Sequence, residues 1–352
     1  MLRSYVKNAA ARAVSWTRLD ALAHVRLHRQ VPFVVAYHRV VERVNTCGPF
    51  ALPAMEISVA MLTRHLEWLG RHFRIISLDH LSATLQEPPK AKPLAAISFD
   101  DGYRDVFDHA FPLLKRKGIS AAIFVVTDLV NSTELPVHER LHATLVRAWS
   151  QWTTPRNSLS ELLGKTIPAK VSDPFSATRF LLSALTAADV ERVMESLDPD
   201  HHVDRILPRS LGPLSWEMLA VMRDSGMTIG SHSKTHAFLA NENHARVREE
   251  AEFSRLELQR RLGVSARCFA YPGGSFTADV VEAVATAGYE FGFTICRHRH
   301  PRHPALTIPR TGLWEQSCLD SSGRFSQAIM SSQAAGTFRF ISRCRQRHKE
   351  SI

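Results

Sequence analysis

Short apolar segments alternate with longer amphipathic segments from residue 33 onward. The short segments are rich in Val, Ile and Phe, and most are nearly continuous apolar runs, the pattern of strands that are buried on both faces. They predict eight strands, over Phe33–Tyr37, Phe73–Ser77, Ala95–Phe99, Ile119–Val126, Met227–Gly230, Arg267–Tyr271, Tyr289–Ile295 and Ala305–Ile308.

Helical periodicity separates most of these strands. Apolar residues recur at helical spacing in the intervening stretches, and a glycine follows several of them as a stop signal. The predicted helices cover Ser58–Arg71, the segment that ends at Gly118, Trp216–Ser225, Ala245–Leu262 and Ala278–Ala287. This repetition of strands and helices predicts an α/β protein with a parallel sheet, either open or closed into a barrel.

Residues 130–213 interrupt the repetition. They contain helical stretches at His138–Trp149, Phe175–Leu185 and Ala187–Leu197 but no strong strand. We interpret them as a helical insertion that caps the barrel. The predicted organisation is a basic amphipathic N-terminal segment, a barrel in two parts, the insertion between those parts and a basic C-terminal tail, at residues 1–30, 31–129 with 214–313, 130–213 and 314–352.

The charge of the chain is concentrated at its two ends. The formal net charge is +10, which on its own suggests a nucleic-acid partner or an anionic surface. Residues 1–30 carry six basic residues and one acidic residue, and residues 324–352 carry the same numbers, so the body between them is neutral. We find no nucleic-acid-binding motif. The charge therefore favours a membrane-surface contact or solvated tails over a nucleic-acid cleft.

The N-terminal segment has two interpretations. A basic amphipathic helix over residues 1–30 suits peripheral attachment to an anionic membrane, or else it packs on the domain. Lys7, Arg12 and Arg18 interrupt the region where a signal peptide needs apolar residues, and no apolar run is long enough to span a bilayer. We expect a cytoplasmic enzyme that contacts the inner face of the membrane, if any, through residues 1–30.

Two adjacent carboxylates follow one predicted strand directly. The segment Ile97–Gly102 reads Ile-Ser-Phe-Asp-Asp-Gly, so that Asp100 and Asp101 stand where a buried strand ends. The carboxyl ends of parallel strands are where functional sites form in α/β folds. Neighbouring acids repel each other unless a cation or a proton intervenes. One acid would then bind a metal and the other act as a general base, although a solvated turn with a helix cap is the simpler alternative.

Two histidines follow another predicted strand. The segment Gly230–His236 reads Gly-Ser-His-Ser-Lys-Thr-His. The spacing of four places His232 and His236 on one face of a helical turn, an arrangement that suits a divalent metal. Two surface histidines are the alternative for this motif alone. Because acids and histidines both stand at predicted strand ends, the two motifs together favour a metal-dependent hydrolase.

A proline and two glycines follow a third strand. The segment Phe269–Gly274 reads Phe-Ala-Tyr-Pro-Gly-Gly, which allows the backbone to approach a ligand closely. A backbone N–H of this turn could stabilise an oxyanion. By itself, the motif is more typical of an ordinary β-turn.

The three motifs in this order resemble the polysaccharide deacetylase family, the NodB-homology enzymes of carbohydrate esterase family 4. The segments Tyr37–Val40 and Ile308–Arg310 are similar to segments of exopolysaccharide-cluster members. The resemblance covers roughly residues 33–312 apart from the insertion. It implies a distorted (β/α) barrel of seven or eight strands. It also implies a hydrolase that removes N-acetyl groups from N-acetylhexosamine units of a polysaccharide or of its lipid-linked precursor.

The resemblance also implies the roles of the motif residues. Asp100 would be the general base, and Asp101, His232 and His236 would bind a divalent metal, usually zinc. The metal would lower the pKa of a bound water and polarise the acetyl carbonyl. The segment Tyr271–Gly273, which comprises Tyr271, Pro272 and Gly273, would contact the substrate and stabilise the oxyanion through backbone near Gly273.

The chain departs from the family pattern at the residue that orients the base. Many members carry an arginine where Ala270 stands in this chain. Arg310, at the end of another predicted strand, is one candidate to replace it, and Arg267 is the nearer alternative in sequence. A surface salt bridge is the simpler role for either arginine.

A second departure concerns the general acid. Many members supply it from a Leu-x-His motif, but Leu306–Ile308 contains no histidine. His303 and His38 are the candidates, and the group that protonates the leaving amine is left open. These departures keep two alternatives in play, a non-catalytic carbohydrate-binding descendant of the barrel and a metal amidase that acts on a non-sugar amide.

Overall fold

The computed structural model describes residues 23–24, 26–28, 31–44, 48–88, 91–200 and 212–337 of the chain. Ten strands lie within these ranges, and every strand pairing is parallel. The strands are β1 (Phe33–Tyr37), β2 (Arg39–Val41), β3 (Glu56–Ser58), β4 (Arg74–Ile75), β5 (Leu94–Phe99), β6 (Ala122–Val125), β7 (Thr228–Ser231), β8 (Cys268–Ala270), β9 (Phe291–Thr294) and β10 (Ile308–Gly312).

Seven of the strands close into a barrel. β1 pairs with β5 on one side and with β10 on the other, and the ring continues through β6, β7, β8 and β9. β4 adds to β5 outside the ring, and β2 pairs with β3 in a separate small sheet. The predicted α/β barrel of seven or eight strands is therefore confirmed.

The α-helices of the described residues mostly follow the barrel strands. Side-chain caps begin several of them, such as Ser58, whose hydroxyl accepts a hydrogen bond from the backbone of Met61. Gly263 ends the longest helix in the left-handed conformation. The helices cover Val59–His72, Leu81–Gln86, Phe111–Lys117, Val137–Gln151, Pro155–Leu163, Pro174–Ala184, Ala187–Leu197, Trp216–Asp224, His244–Leu262, Ala278–Thr286 and Gln327–Ala334.

Alternate residues of the barrel strands belong to different apolar clusters. Val34, Ala96 and Phe124 are buried in one cluster, whereas Val35 and Ile97 are buried in the other, which also contains residues of the surrounding helices. Because successive side chains of a strand point to opposite faces, the first cluster fills the barrel and the second lies between the barrel and its helices. This explains why the strand sequences are apolar at nearly every position.

The last strand begins later in the chain than the sequence predicts. Ala305–Ile308 was expected to be extended, but Pro304–Thr307 forms a short 3₁₀ helix and β10 begins at Ile308. Proline is pre-organised for the first turn of a helix, which accounts for the shift. Arg310 lies inside β10 and interrupts its apolar pattern, so the hydrophobic pattern alone does not predict this strand.

Four helices lie in the described part of residues 130–213, the region predicted as an insertion. They begin at Val137, Pro155, Pro174 and Ala187, and the second was not predicted from the sequence. Their apolar faces form a cluster of their own that includes Leu141. The boundaries of the proposed insertion remain a prediction.

A buried ionic cluster joins the first of these helices to β2 and to the segment that follows β5. The guanidinium of Arg39 donates two hydrogen bonds of 2.7 Å to the carboxylate of Glu139 and one of 2.9 Å to Asp105. It also lies 3.7 Å from the ring centre of Tyr103. All three charged side chains are at most 9% exposed. A buried charge without its partner is costly, so this cluster fixes the start of the helix that begins at Val137.

Replacing Arg39 by leucine is expected to lower the free energy of unfolding by about 3–5 kcal/mol, because two carboxylates would be left buried without their cation. Urea unfolding measures the change. Arg104, which pairs with Asp108 at an exposed position, provides the control: Arg104→Leu should cost less than about 1 kcal/mol. Equal losses in the two variants would contradict the importance of burial.

The N-terminal segment lies mostly outside the described residues. Within its described part, the Nε2 atoms of His24 and His28 lie 2.9 Å from the carbonyl oxygens of Ser331 and Ala334. These residues therefore pack on the domain, as one of the two interpretations expected, and contact of residues 1–30 with a membrane stays a prediction. The C-terminal tail from residue 338 also lies outside the description. None of the described helices combines the length and hydropathy needed to cross a bilayer.

Candidate active site

Asp100 stands at the carboxyl end of β5 and binds Arg310 from β10. The two guanidinium nitrogens donate hydrogen bonds of 2.6 and 2.7 Å to the two carboxylate oxygens, and the first also donates to Ser98 at 3.1 Å. Ser98 and Asp100 are two residues apart on β5, so they face the same side of the strand. Arg310 is 1% exposed. The structure thus brings Arg310, predicted to replace the family arginine, to the predicted base.

Arg267, the alternative arginine, lies elsewhere. It forms an ion pair with Glu290 and donates a hydrogen bond to Ser82, and its side chain is 30% exposed. This is the surface salt bridge that the simpler interpretation expected for it.

The charge state of Asp100 follows from its partners. Burial by itself would raise the pKa of this carboxyl group, but the cationic Arg310 and the nearby His232 outweigh burial and hold the pKa below its ordinary value. The side chain is therefore ionised at neutral pH and is held in one orientation by the fork of the guanidinium.

Asp101 turns toward the two predicted histidines. Its Oδ1 atom lies 3.2 Å from Nε2 of His236 and 3.4 Å from Nε2 of His232. The three side chains offer ligand atoms that lie within 4.8 Å of one another, and all three residues are buried. Residues more than a hundred positions apart in the chain therefore converge at one end of the barrel, as the motifs predicted.

A backbone carbonyl orients His232. The Nδ1 atom of this residue lies 2.7 Å from the carbonyl oxygen of Ala270, at the end of β8. A carbonyl oxygen only accepts hydrogen bonds, so Nδ1 carries a proton, and in the neutral ring Nε2, on the side of Asp101, has the lone pair that can bind a metal. This is the tautomer that a histidine uses when it binds a metal through Nε2.

The segment from His232 to His236 is a loop, which corrects the expected helical turn. Ser233 and His236 have φ angles of 69° and 65°, in the left-handed region. A right-handed helix excludes this conformation. The two imidazoles meet because the loop curls, and not because a helix places every fourth residue on one face.

Glu250 holds this loop from behind. Its fully buried carboxylate accepts hydrogen bonds of 2.9 Å from the backbone N–H groups of Lys234 and Thr235, and one of 2.5 Å from the Thr235 hydroxyl. Arg246 adds an ion pair at 2.9 Å. Sequence analysis did not identify Glu250, because one more acidic residue in a charged helix carries no distinguishing signal.

Glu250→Gln is expected to lower the free energy of unfolding by about 1–3 kcal/mol and to weaken metal binding. One carboxylate oxygen accepts both N–H bonds, so the amide nitrogen would replace the other oxygen, which accepts from the Thr235 hydroxyl and pairs with Arg246. Thermal unfolding and a zinc titration measure the two effects. Glu249 is the matched control, since it pairs with Lys234 and Arg246 at an exposed position. If Glu249→Gln had the same effects, the buried acceptor would not be their cause.

The Tyr271–Gly273 segment lies beside the histidine loop. Tyr271 is fully buried, and its hydroxyl donates a hydrogen bond to the carbonyl of Leu306, so the side chain supports the turn from inside the fold. Gly273 has a φ angle of 61°, and a Cβ atom there would lie 2.3 Å from the ring of Phe238. That ring is 5.9 Å from the ring of His236. The turn therefore contacts the site through Phe238, and glycine is needed for both its conformation and this contact.

The two candidate general acids lie in different surroundings. His38 directly follows β1, where the Asp100 N–H donates to the carbonyl of Tyr37. Burial lowers the pKa of His38, while the charges of Asp101 and Asp100 act in the opposite direction. His303 lies 3.1 Å from Glu282, which also pairs with Arg302. The structure therefore brings His38, and not His303, to the predicted site.

One more histidine reaches the site from the helix Val137–Gln151. The Nε2 atom of His138 lies 3.5 Å from Oδ2 of Asp101 and 3.0 Å from the hydroxyl of Tyr103, and its ring centre is 4.6 Å from that of His236. Sequence analysis placed His138 only at the start of a predicted helix. Nothing in its spacing connected it with the strand ends.

Comparison with known proteins agrees with this geometry. The protein-family model described as polysaccharide deacetylase matches residues 87–292, more than half of the chain. No curated protein sequence matches. Among solved structures, the chain is similar to the deacetylase PplD of Streptococcus pyogenes in complex with acetate, with 14% identity and a TM-score of 0.53 over 82% of this chain and 94% of that one.

Two further structures share the fold. IcaB of Ammonifex degensii is 19% identical with a TM-score of 0.51, over 87% of this chain and 97% of that one. A polysaccharide deacetylase of Bacillus cereus is 15% identical with a TM-score of 0.53, over 87% of this chain and 69% of that one. The motifs, the barrel and the family match lead to one conclusion: the chain belongs to the polysaccharide deacetylase family of hydrolases.

Proposed function

We propose that this protein is a metal-dependent hydrolase that removes N-acetyl groups from N-acetylhexosamine units of a polysaccharide or of its lipid-linked precursor. The observation that carries the proposal is the convergence of Asp101, His232 and His236 beside a second carboxylate, Asp100, that Arg310 holds in place. One acid is thereby available to a cation and the other to a proton, which is the division of roles that metal-assisted hydrolysis needs.

The three residues fit a divalent metal. Among the described residues, neither carboxylate oxygen of Asp101 has a hydrogen-bond partner, although both are buried. An unsatisfied buried carboxylate is costly, and a cation would satisfy it. Two neutral imidazole nitrogens and one carboxylate oxygen form a donor set that zinc prefers, with positions left for water and substrate. We therefore propose zinc as the cofactor.

The residues of the chain divide the work as follows. A metal ion bound by Asp101, His232 and His236 would supply Lewis acidity and a water of lowered pKa. Asp100 accepts the proton of the attacking water, and Arg310 keeps its carboxylate in the orientation for that transfer. A backbone N–H near Gly273 stabilises the charge that develops on the acetyl oxygen. His38 is our candidate for the donor of a proton to the leaving amine.

The position of Arg310 removes the main argument for a non-catalytic carbohydrate-binding protein. The absence of an arginine at Ala270 favoured a binding protein that had lost turnover, but Arg310 makes the corresponding contact with Asp100 from another strand. No observation of the described residues favours a non-sugar amide over a sugar. We therefore retain the deacetylase as the single candidate.

The test combines metal analysis with an assay of acetate release. Purified protein should contain about one zinc ion per chain, by the three-ligand donor set. It should release acetate from chito-oligosaccharides or from another N-acetylated glycan in a screen. Treatment with dipicolinic acid should stop the reaction, and added zinc should restore it. Metal-free protein with full activity would contradict the mechanism, and zinc-loaded protein that is inactive on every glycan would contradict the substrate class.

A further inference from the structure

Asp101 is surrounded unequally on its two sides. The Nε2 atoms of His232 and His236 approach Oδ1, whereas the Nε2 atom of His138 lies 3.5 Å from Oδ2. Both oxygens are buried, and within the described part of the chain neither accepts a hydrogen bond. A metal held at Oδ1 would still leave the second oxygen in need of a donor.

Two neighbours fix the position of His138, one adjacent in the sequence and one in contact with its ring. The next residue, Glu139, is fixed by the two hydrogen bonds from Arg39. Tyr103, two residues beyond Asp101, has its hydroxyl 3.0 Å from Nε2 of His138, and its ring stacks under the same Arg39. His138 is buried, with 4% of the residue exposed. The geometry of His138 toward Asp101 is therefore built into the attachment of the inserted helices.

His138 is better placed to hydrogen-bond with a metal-binding residue than to bind the metal itself. Its nitrogens are not part of the group of ligand atoms that lie within 4.8 Å of one another. Its Nε2 atom lies instead beside Oδ2 of Asp101. Hydrogen-bonding partners of metal ligands fix their orientation, and their loss weakens metal affinity.

We propose that His138 is a positioning residue of the metal site. Its Nε2–H is shared between the Tyr103 oxygen, at 3.0 Å, and Oδ2 of Asp101, at 3.5 Å, and so holds Oδ1 toward the two histidines. The helices between β6 and β7 then complete the site and do more than cover it. This inference rests on the proposed function, because it requires that Asp101 binds a metal.

The test compares zinc affinities of full-length variants, measured by competition with a chromophoric chelator. His138→Leu removes the donor at similar volume and should lower the affinity about 10–100-fold. His138→Gln keeps an N–H donor near the position of Nε2 and should remain within about threefold of the unchanged protein, whereas His138→Asn, whose amide is too short, should resemble leucine.

His142 provides the matched control. It lies one turn further along the same helix, is also buried, and has its Nδ1 atom 3.2 Å from the hydroxyl of Thr178 within the inserted helices. His142→Gln should leave zinc affinity unchanged even if it lowers the thermal unfolding midpoint. An equal loss of affinity in this variant would attribute the effect to a loosened insertion and would overturn the proposal.

The remaining outcomes are also decisive. Unchanged affinity in His138→Leu, or an equal loss in the leucine and glutamine variants, overturns the proposed hydrogen bond. If His138→Leu does not fold, the comparison of glutamine with asparagine decides the question. Comparing the zinc affinity of the unchanged protein with that of Asp101→Ala tests the proposed function separately from this inference. If the two affinities are equal, the proposed metal site is refuted, whatever the His138 variants do.

Discussion

Asp101→Ala is expected to abolish zinc binding and acetate release together. Its Oδ1 atom is the point at which His232 and His236 meet, so two imidazoles alone would remain to hold the cation. A metal that acts as a Lewis acid contributes several kcal/mol to the transition state, and each 1.4 kcal/mol is a factor of ten. The rate should therefore fall on the order of a thousandfold or more. Atomic absorption of the purified variant and the acetate assay measure the two losses.

The stability of this variant separates a lost ligand from a lost fold. Among the described residues, the buried carboxylate of Asp101 has no hydrogen-bond partner, so in protein stripped of zinc, alanine should leave the unfolding midpoint unchanged or raise it. Asp108→Ala is the control, because Asp108 lies on the surface in a pair with Arg104. Zinc binding at normal affinity in Asp101→Ala would end the proposal of a metal site at this end of the barrel.

Asp100→Asn is expected to retain zinc but to lose turnover by a factor of about 10²–10⁴, the usual contribution of a general base. The amide cannot accept the proton of the attacking water, whereas Asp101, His232 and His236 are unchanged. Steady-state rates of acetate release, together with zinc content, measure the separation of the two properties.

The control for Asp100 is its neighbour on the same face of the strand. Ser98→Ala removes one weaker contact of Arg310 and leaves both oxygens of Asp100 bonded, so its rate should change little. Asp100→Asn also leaves the buried guanidinium without a full negative charge, and some loss of stability is expected. Full activity in Asp100→Asn would show that another group acts as the base.

The convergence of the site was predictable because parallel strands share a direction. Residues that directly follow β5 and β7 must meet at one end of the barrel, whatever their separation in the chain. The contact between Arg310 and Asp100 was predictable only as one of two possibilities, since sequence does not specify which strand end faces which. The pairing of β1 with both β5 and β10 decides it.

Other parts of the site depend on information that residue spacing does not contain. The left-handed conformation of Ser233 and His236 depends on surrounding contacts, since residues other than glycine seldom adopt it without them. His138 comes from helices whose docking depends on a buried cluster around Arg39, and no periodicity reveals such a long-range contact. Tertiary packing therefore decided the details that local patterns left open.

The turn after β5 has a consequence for transplanting this chemistry to other barrels. Consecutive residues of a strand face opposite sides, so a straight continuation would send Asp100 and Asp101 apart. Asp101 instead has a φ angle of 69° and Gly102 one of 70°, and a Cβ atom on Gly102 would lie 3.1 Å from Val125. Two aspartates placed after a strand of another barrel would reproduce the sequence of the motif but not its geometry. A working graft would need to copy the backbone reversal and the glycine-sized gap beside the neighbouring strand.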